Sequence, residues 1–77
     1  MQIKQAKEYF DLGVITAFHA VRDLKPGCWI LSIAGRDDRQ WTLETARGEV
    51  KIFSSLDTLA GEVEKIAGRL SSINFNV

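Results

Sequence analysis

The sequence predicts an α+β domain: an antiparallel meander of three to four strands packed by one major C-terminal helix, with a short N-terminal helix and a final short strand. Three observations carry that expectation. Two runs rich in β-branched and aromatic residues, Cys28-Trp29-Ile30-Leu31-Ser32-Ile33 and Trp41-Thr42-Leu43-Glu44-Thr45, are separated by the turn-forming Gly35-Arg36-Asp37-Asp38. Downstream, Leu56, Leu59, Val63, Ile66 and Leu70 recur at the helical period. The 77 residues hold material for one core only, so residues 1–77 are expected to form a single domain.

Each element has its own local warrant. Ile3, Ala6 and Phe10 fall on one helical face with Lys4, Lys7 and Glu8 elsewhere, which predicts an amphipathic helix over 2–12 stopped by Gly13. Residues 14–22 are β-branched and aromatic with weak alternation, a strand partly covered on both sides whose register stays open. Asp23-Leu24-Lys25-Pro26-Gly27 is turn chemistry leading into a strand over 28–34, with Trp29, Leu31 and Ile33 on one face. A strand over 40–45 puts Trp41, Leu43 and Thr45 on one face and Gln40, Thr42 and Glu44 on the other. Val50-Lys51-Ile52-Phe53 is expected to add a fourth strand after a tight turn at 46–49. Ser54 or Ser55 caps the helix that follows, with Asp57 in its positive first turn. Gly61 and Gly68 each weaken that helix and mark either close packing or an early end. Ile73, Phe75 and Val77 alternate with polar residues as a last strand.

Composition narrows the class of function. Ten Lys and Arg balance ten Asp and Glu, and no third of the chain is strongly polarised, whereas nucleic-acid binding usually shows as a basic excess. A lone cysteine closes no intramolecular disulfide, which fits a reducing compartment, so a cytoplasmic location is expected. The first residues have no apolar signal core and no apolar run approaches a bilayer-spanning length, so neither secretion nor a membrane partner is expected.

Few residues carry chemistry. His19 is the single histidine and has no second ligand type near it in sequence, while a zinc site needs three or four ligands and a general base needs an oriented partner. Cys28 as a nucleophile would need His19 as its base; small apolar packing is the commoner fate of a lone cysteine. No enzymatic activity, cofactor, metal or small-molecule substrate is therefore expected. Trp29 and Trp41 lie on adjacent strands, and core packing is the preferred reading of the pair. The competing reading makes them a stacking platform beside Arg36, Arg39, Arg47 and Lys51, a field that Asp37, Asp38, Glu44 and Glu49 largely cancel. Glu62, Glu64, Lys65 and Arg69 read as a solvated helix face with local pairs.

If Trp29, Leu31 and Ile33 face the helices, then Cys28, Ile30 and Ser32, joined by Lys51 and Phe53, form an outer sheet face suited to protein contact. The last strand offers a second route, strand addition at a sheet edge.

The hairpin, the run Trp41-Thr42-Leu43-Glu44-Thr45-Ala46-Arg47-Gly48 and the segment Phe53-Ser54-Ser55-Leu56-Asp57 together resemble small accessory proteins of bacterial plasmids and integrative elements. That resemblance implies an accessory role in the element's upkeep. The order of three strands, an aromatic residue and a polar step into a helix is similar to the arm-binding domain of phage integrases. This second likeness implies DNA binding by the sheet, with Arg36, Arg39, Trp41, Arg47 and Lys51 at the contact, although the chain departs from that family in having no basic excess. The double-stranded RNA-binding domain has a related element order but opens its final helix with lysines, where this chain has Ser54 to Asp57. The expected function is non-enzymatic binding of another protein or of a second copy of this chain, with DNA binding as the alternative.

Overall fold

The computed structural model describes residues 1–68 and the backbone of 73–76. Leu70 of the helical stripe, Arg69 of the charged helix face and Val77 of the last strand lie outside the described residues, as do the side chains of Ile73 and Phe75. The elements run α1 (Ile3–Asp11), β1 (Ile15–Arg22), β2 (Trp29–Gly35), β3 (Gln40–Thr42), α2 (Leu56–Ala67) and β4 (Ile73–Asn76). In the sheet the order is β3-β2-β1-β4, antiparallel between β3, β2 and β1, with the backbone of β4 running parallel to β1. The α+β class is as expected.

Local chemistry accounts for the ends of the elements. Gly13 follows α1 with φ +73°, a left-handed conformation that costs a glycine little. Of the two candidate serines, Ser55 caps α2: its hydroxyl accepts from the Thr58 amide at 3.2 Å. Gly68 ends that helix with φ +76° and donates its amide to the Glu64 carbonyl at 2.8 Å, so it marks the early end rather than close packing. Between β2 and β3, Asp37 and Asp38 both sit at φ +61° in a turn closed by the Arg39 amide on the Arg36 carbonyl. Two consecutive positive φ values match the right-handed twist of the strands that such a turn joins.

One face of the sheet carries the core. Phe18 and Ala20 of β1 stand opposite Ile33 and Leu31 of β2, and all four are buried together with Leu43. Ala6 of α1, Leu59, Val63 and Ile66 of α2, and Phe53 complete the cluster. Tyr9 meets Trp41 edge to face at 5.5 Å, and Phe10 stacks on Phe18 at 6.1 Å, which ties α1 to the sheet. Both tryptophans pack against this cluster, in keeping with the core reading of the pair.

One open register is settled and one expectation changes. A bulge at Thr16 shifts the register of β1, so Ile15 and Phe18 both reach the core although strict alternation would put them on opposite faces. That irregularity is what weakens the alternation of residues 14–22. The expected fourth strand over 50–53 makes no ladder of its own. Leu43 donates to the Leu31 carbonyl, Lys51 donates to Leu43, and Phe53 exchanges two hydrogen bonds of 2.8 Å with Trp29. Residues 51–53 thus resume the place beside β2 that β3 leaves after Leu43, and the strand expected over 40–45 is cut to Gln40–Thr42. The intervening chain loops out, held by bridges from Glu44 to Val50 and from Glu44 to Gln2.

Candidate functional site

The sheet has a second face, which no described element covers. Alternation from the buried residues puts Ala17, His19 and Val21 of β1, Ile30, Ser32 and Ala34 of β2, and Gln40 and Thr42 of β3 on it. All but Gln40, which is exposed at the rim, are half-buried, because side chains on a pleated surface shade one another even without a cover. None of these eight residues is a lysine, an arginine or a carboxylate. Ser32 stands opposite both His19 and Thr42 at the centre of the three strands, and the Nδ1 atom of His19 is buried without a hydrogen-bond partner among the described residues.

Of the five residues expected to form a protein contact, the structure keeps Ile30 and Ser32 on this face and removes two. Phe53 is 2% exposed and belongs to the core, because its backbone pairs with Trp29 and its ring turns under the helices. Lys51 reaches the helix side, where its ammonium lies 3.3 Å from Glu62 and 5.4 Å from the Phe53 ring centre. Cys28 precedes β2 and lines a hollow of about 100 Å³ with Arg22, Asp23 and Trp29. Its backbone stands opposite Asp23, four residues along β1 from His19, a separation of about 13 Å in an extended strand, well beyond hydrogen-bond reach.

The residues of the DNA-binding alternative are dispersed. Arg36 and Arg39 flank the turn between β2 and β3, whereas Arg47 sits in the 45–49 turn, beyond the opposite end of β3. Trp41 is wedged between Tyr9 and Gly35, where a Cβ would lie 2.5 Å from the indole. Arg22, the one basic residue of β1, turns to the helix side and stacks over Trp29 at 5.3 Å.

A second hollow, about 390 Å³, lies between Ile3, Glu44 to Ala46, Lys51, Glu62 and Lys65. Glu62 is 8% exposed rather than solvated, since Lys51 at 3.3 Å and Lys65 at 3.4 Å replace its water. The expected solvated face of Glu62, Glu64, Lys65 and Arg69 with local pairs includes the Lys65 partner but not Lys51, which lies outside the helix. Among the described residues no three His, Cys, Asp or Glu side chains come together as a metal site, and no helix is long and apolar enough to cross a membrane.

Fold and site together define an α+β domain with one sheet face packed by helices and the other, among the described residues, uncovered and uncharged. No family model, no curated protein and no solved structure matches this chain.

Proposed function

We propose that this chain is a non-enzymatic interaction module that binds another protein, or a second copy of itself, through the open face of its sheet. The observation that carries the reading is the face itself: eight residues without a charged side chain, Gln40 exposed at their rim, that no element among the described residues covers. A surface of this kind gains by excluding water from Val21, Ile30 and the alanines, while hydroxyl and imidazole groups orient the partner. DNA binding by the sheet is disfavoured because a face without cations neutralises no phosphate. The lone cysteine supports a cytoplasmic setting, and the resemblance to plasmid and integrative-element proteins supports an accessory role in the upkeep of such an element.

A photo-crosslinking side chain tests the face directly. Placed at Gln40 of the full chain in cells, it is expected to trap a protein adduct, whereas the same group at exposed Glu8 on α1 traps none. Adducts from both positions alike, or from neither, would sink the proposal.

A further inference from the structure

Independently of the open face, we infer a contact surface at the edge of the sheet, where residues 50–52 accept a short extended segment of another protein as an added strand. Backbone direction carries this. Phe53 donates to and accepts from Trp29, both at 2.8 Å, and the Lys51 amide donates to the Leu43 carbonyl at 3.0 Å, so both residues turn their amides inward. In an extended chain, alternate residues direct these groups to opposite edges. Val50 and Ile52 therefore present theirs outward, and neither has a backbone hydrogen-bond partner among the described residues. The described backbone of β4 lies beyond β1, at the other edge of the sheet.

Open edges are usually guarded by charge, by proline or by the chain's own cover. This one is not. Lys51, the one charged residue of 50–53, is drawn to the helix side by Glu62 at 3.3 Å, and the stretch contains no proline. The neighbouring edge at Glu44 is closed by contrast, because its amide donates to the Met1 carbonyl at 2.7 Å. The side chains agree with the backbone. Phe53 stands opposite Trp29, so Ile52 stands opposite Ile30, which in turn faces Val21. These three form a row of branched aliphatic side chains on the side away from the helices, and the row stops at Ile52, which is 47% exposed. A further strand would set an apolar residue about 4.8 Å beyond Ile52 and continue the row.

The occupant follows from what the edge offers. Amides and carbonyls repeating every second residue, about 6.8 Å apart, are matched in order and distance by another extended main chain. A helix pairs its own amides and carbonyls internally and cannot answer them. Length excludes a second folded copy: 50–53 offers about 14 Å of edge one strand wide, far below the roughly 1,200 Å² that a specific interface between folded chains buries. A linear segment of about five residues fits, with β-branched or aromatic residues at alternate positions and no proline where it must donate. So short a contact is expected to be weak and reversible, with a dissociation constant on the order of 100 µM.

Amide hydrogen exchange reads the edge residue by residue. In the free full chain the Val50 and Ile52 amides are expected to exchange at least tenfold faster than those of Lys51 and Phe53, and equal protection overturns the inference. Random peptides of about eight residues, displayed on phage and selected against the full chain, are expected to yield sequences with alternating β-branched or aromatic residues. A synthetic copy of a selected peptide is expected to slow exchange at Val50 and Ile52, and to lose at least tenfold in affinity when one alternate set of its backbone amides is N-methylated but not the other. Ile52→Lys and Ile52→Pro are each expected to weaken its binding at least tenfold with the circular dichroism unchanged; if the proline variant unfolds, the lysine variant decides. No enriched peptide, N-methylation tolerated at every position, or binding kept by a folded Ile52→Lys chain overturns the inference. Binding lost in Ser32→Glu but untouched by Ile52→Lys overturns strand addition and leaves the open face as the contact surface. A wild-type chain that dimerises in sedimentation while Ile52→Lys does not gives the edge to a second copy, which also overturns it.

Discussion

The two sides of the sheet share the same strands, and neighbouring residues along β2 fall on opposite sides: Leu31 and Ile33 are fully buried, Ile30 and Ser32 only half so. Hydrophobicity alone does not separate them, since Ile30 is as apolar as Ile33. Cover separates them. Among the described residues the helix side holds the large buried side chains, both tryptophans and the stacked Arg22, while the open side mixes alanines, hydroxyls, His19 and Gln40 with Val21 and Ile30 and carries no lysine, arginine or carboxylate. Burial here is set by what lies above a residue, and a sheet face free of charge is not thereby a greasy one.

The sharpest way to break the comparison is to truncate neighbours on opposite sides of β2. Leu31→Ala is expected to cost about 3 to 4 kcal/mol by opening a cavity, and Ile30→Ala only about 1 kcal/mol. A single core of this size supplies roughly 3 to 5 kcal/mol in net terms, so urea denaturation should find the first variant largely unfolded and the second shifted modestly. Equal midpoints would show that both sides are covered. A smaller effect probes the close approach on the helix side. Gly35→Ala drives a Cβ into Trp41, which Tyr9 pins from behind, and is expected to lower stability by about 1 to 3 kcal/mol in the same titration. The smallest effect has the opposite sign. A Cβ at Gly61 in α2 meets nothing within 4 Å, so Gly61→Ala is expected to raise stability by about 0.5 to 1 kcal/mol while leaving association unchanged. A loss instead would mean that Gly61 is kept for a contact on that helix, and attention would move from the sheet to α2.

Much of this fold was legible where local signals agree. The apolar period of Leu59, Val63 and Ile66, the Ser55 cap and the Gly68 stop lie within one continuous segment, and each acts over a few residues. The strand from Trp29 was legible for the same reason, and with it the placement of Ile30 and Ser32 away from the helices. Residues on β1 were not. The bulge at Thr16 changes which side His19 and Val21 share, and nothing in the run 14–22 marks where an extra residue will be accommodated. The assignment of Phe53 failed for a related reason. Alternation within 50–53 correctly put Val50 and Ile52 apart from Lys51 and Phe53, but which pair turned inward depended on the bonds between Phe53 and Trp29.

Glu62 shows the same limit in electrostatic form. Its place on the helix wheel suggested water, yet Lys51 arrives from a distant segment to neutralise it, and only that arrival makes its burial tolerable. By itself, the chain determined its helices, its turns, its neutral charge and the existence of a hairpin, because these follow from side-chain period, backbone preference and simple counting. Tertiary structure decided which of the two strand faces receives the helices, where the third strand yields to Phe53, and which polar groups meet. Those outcomes rest on contacts between residues far apart in sequence, whose pairing energy no local pattern encodes.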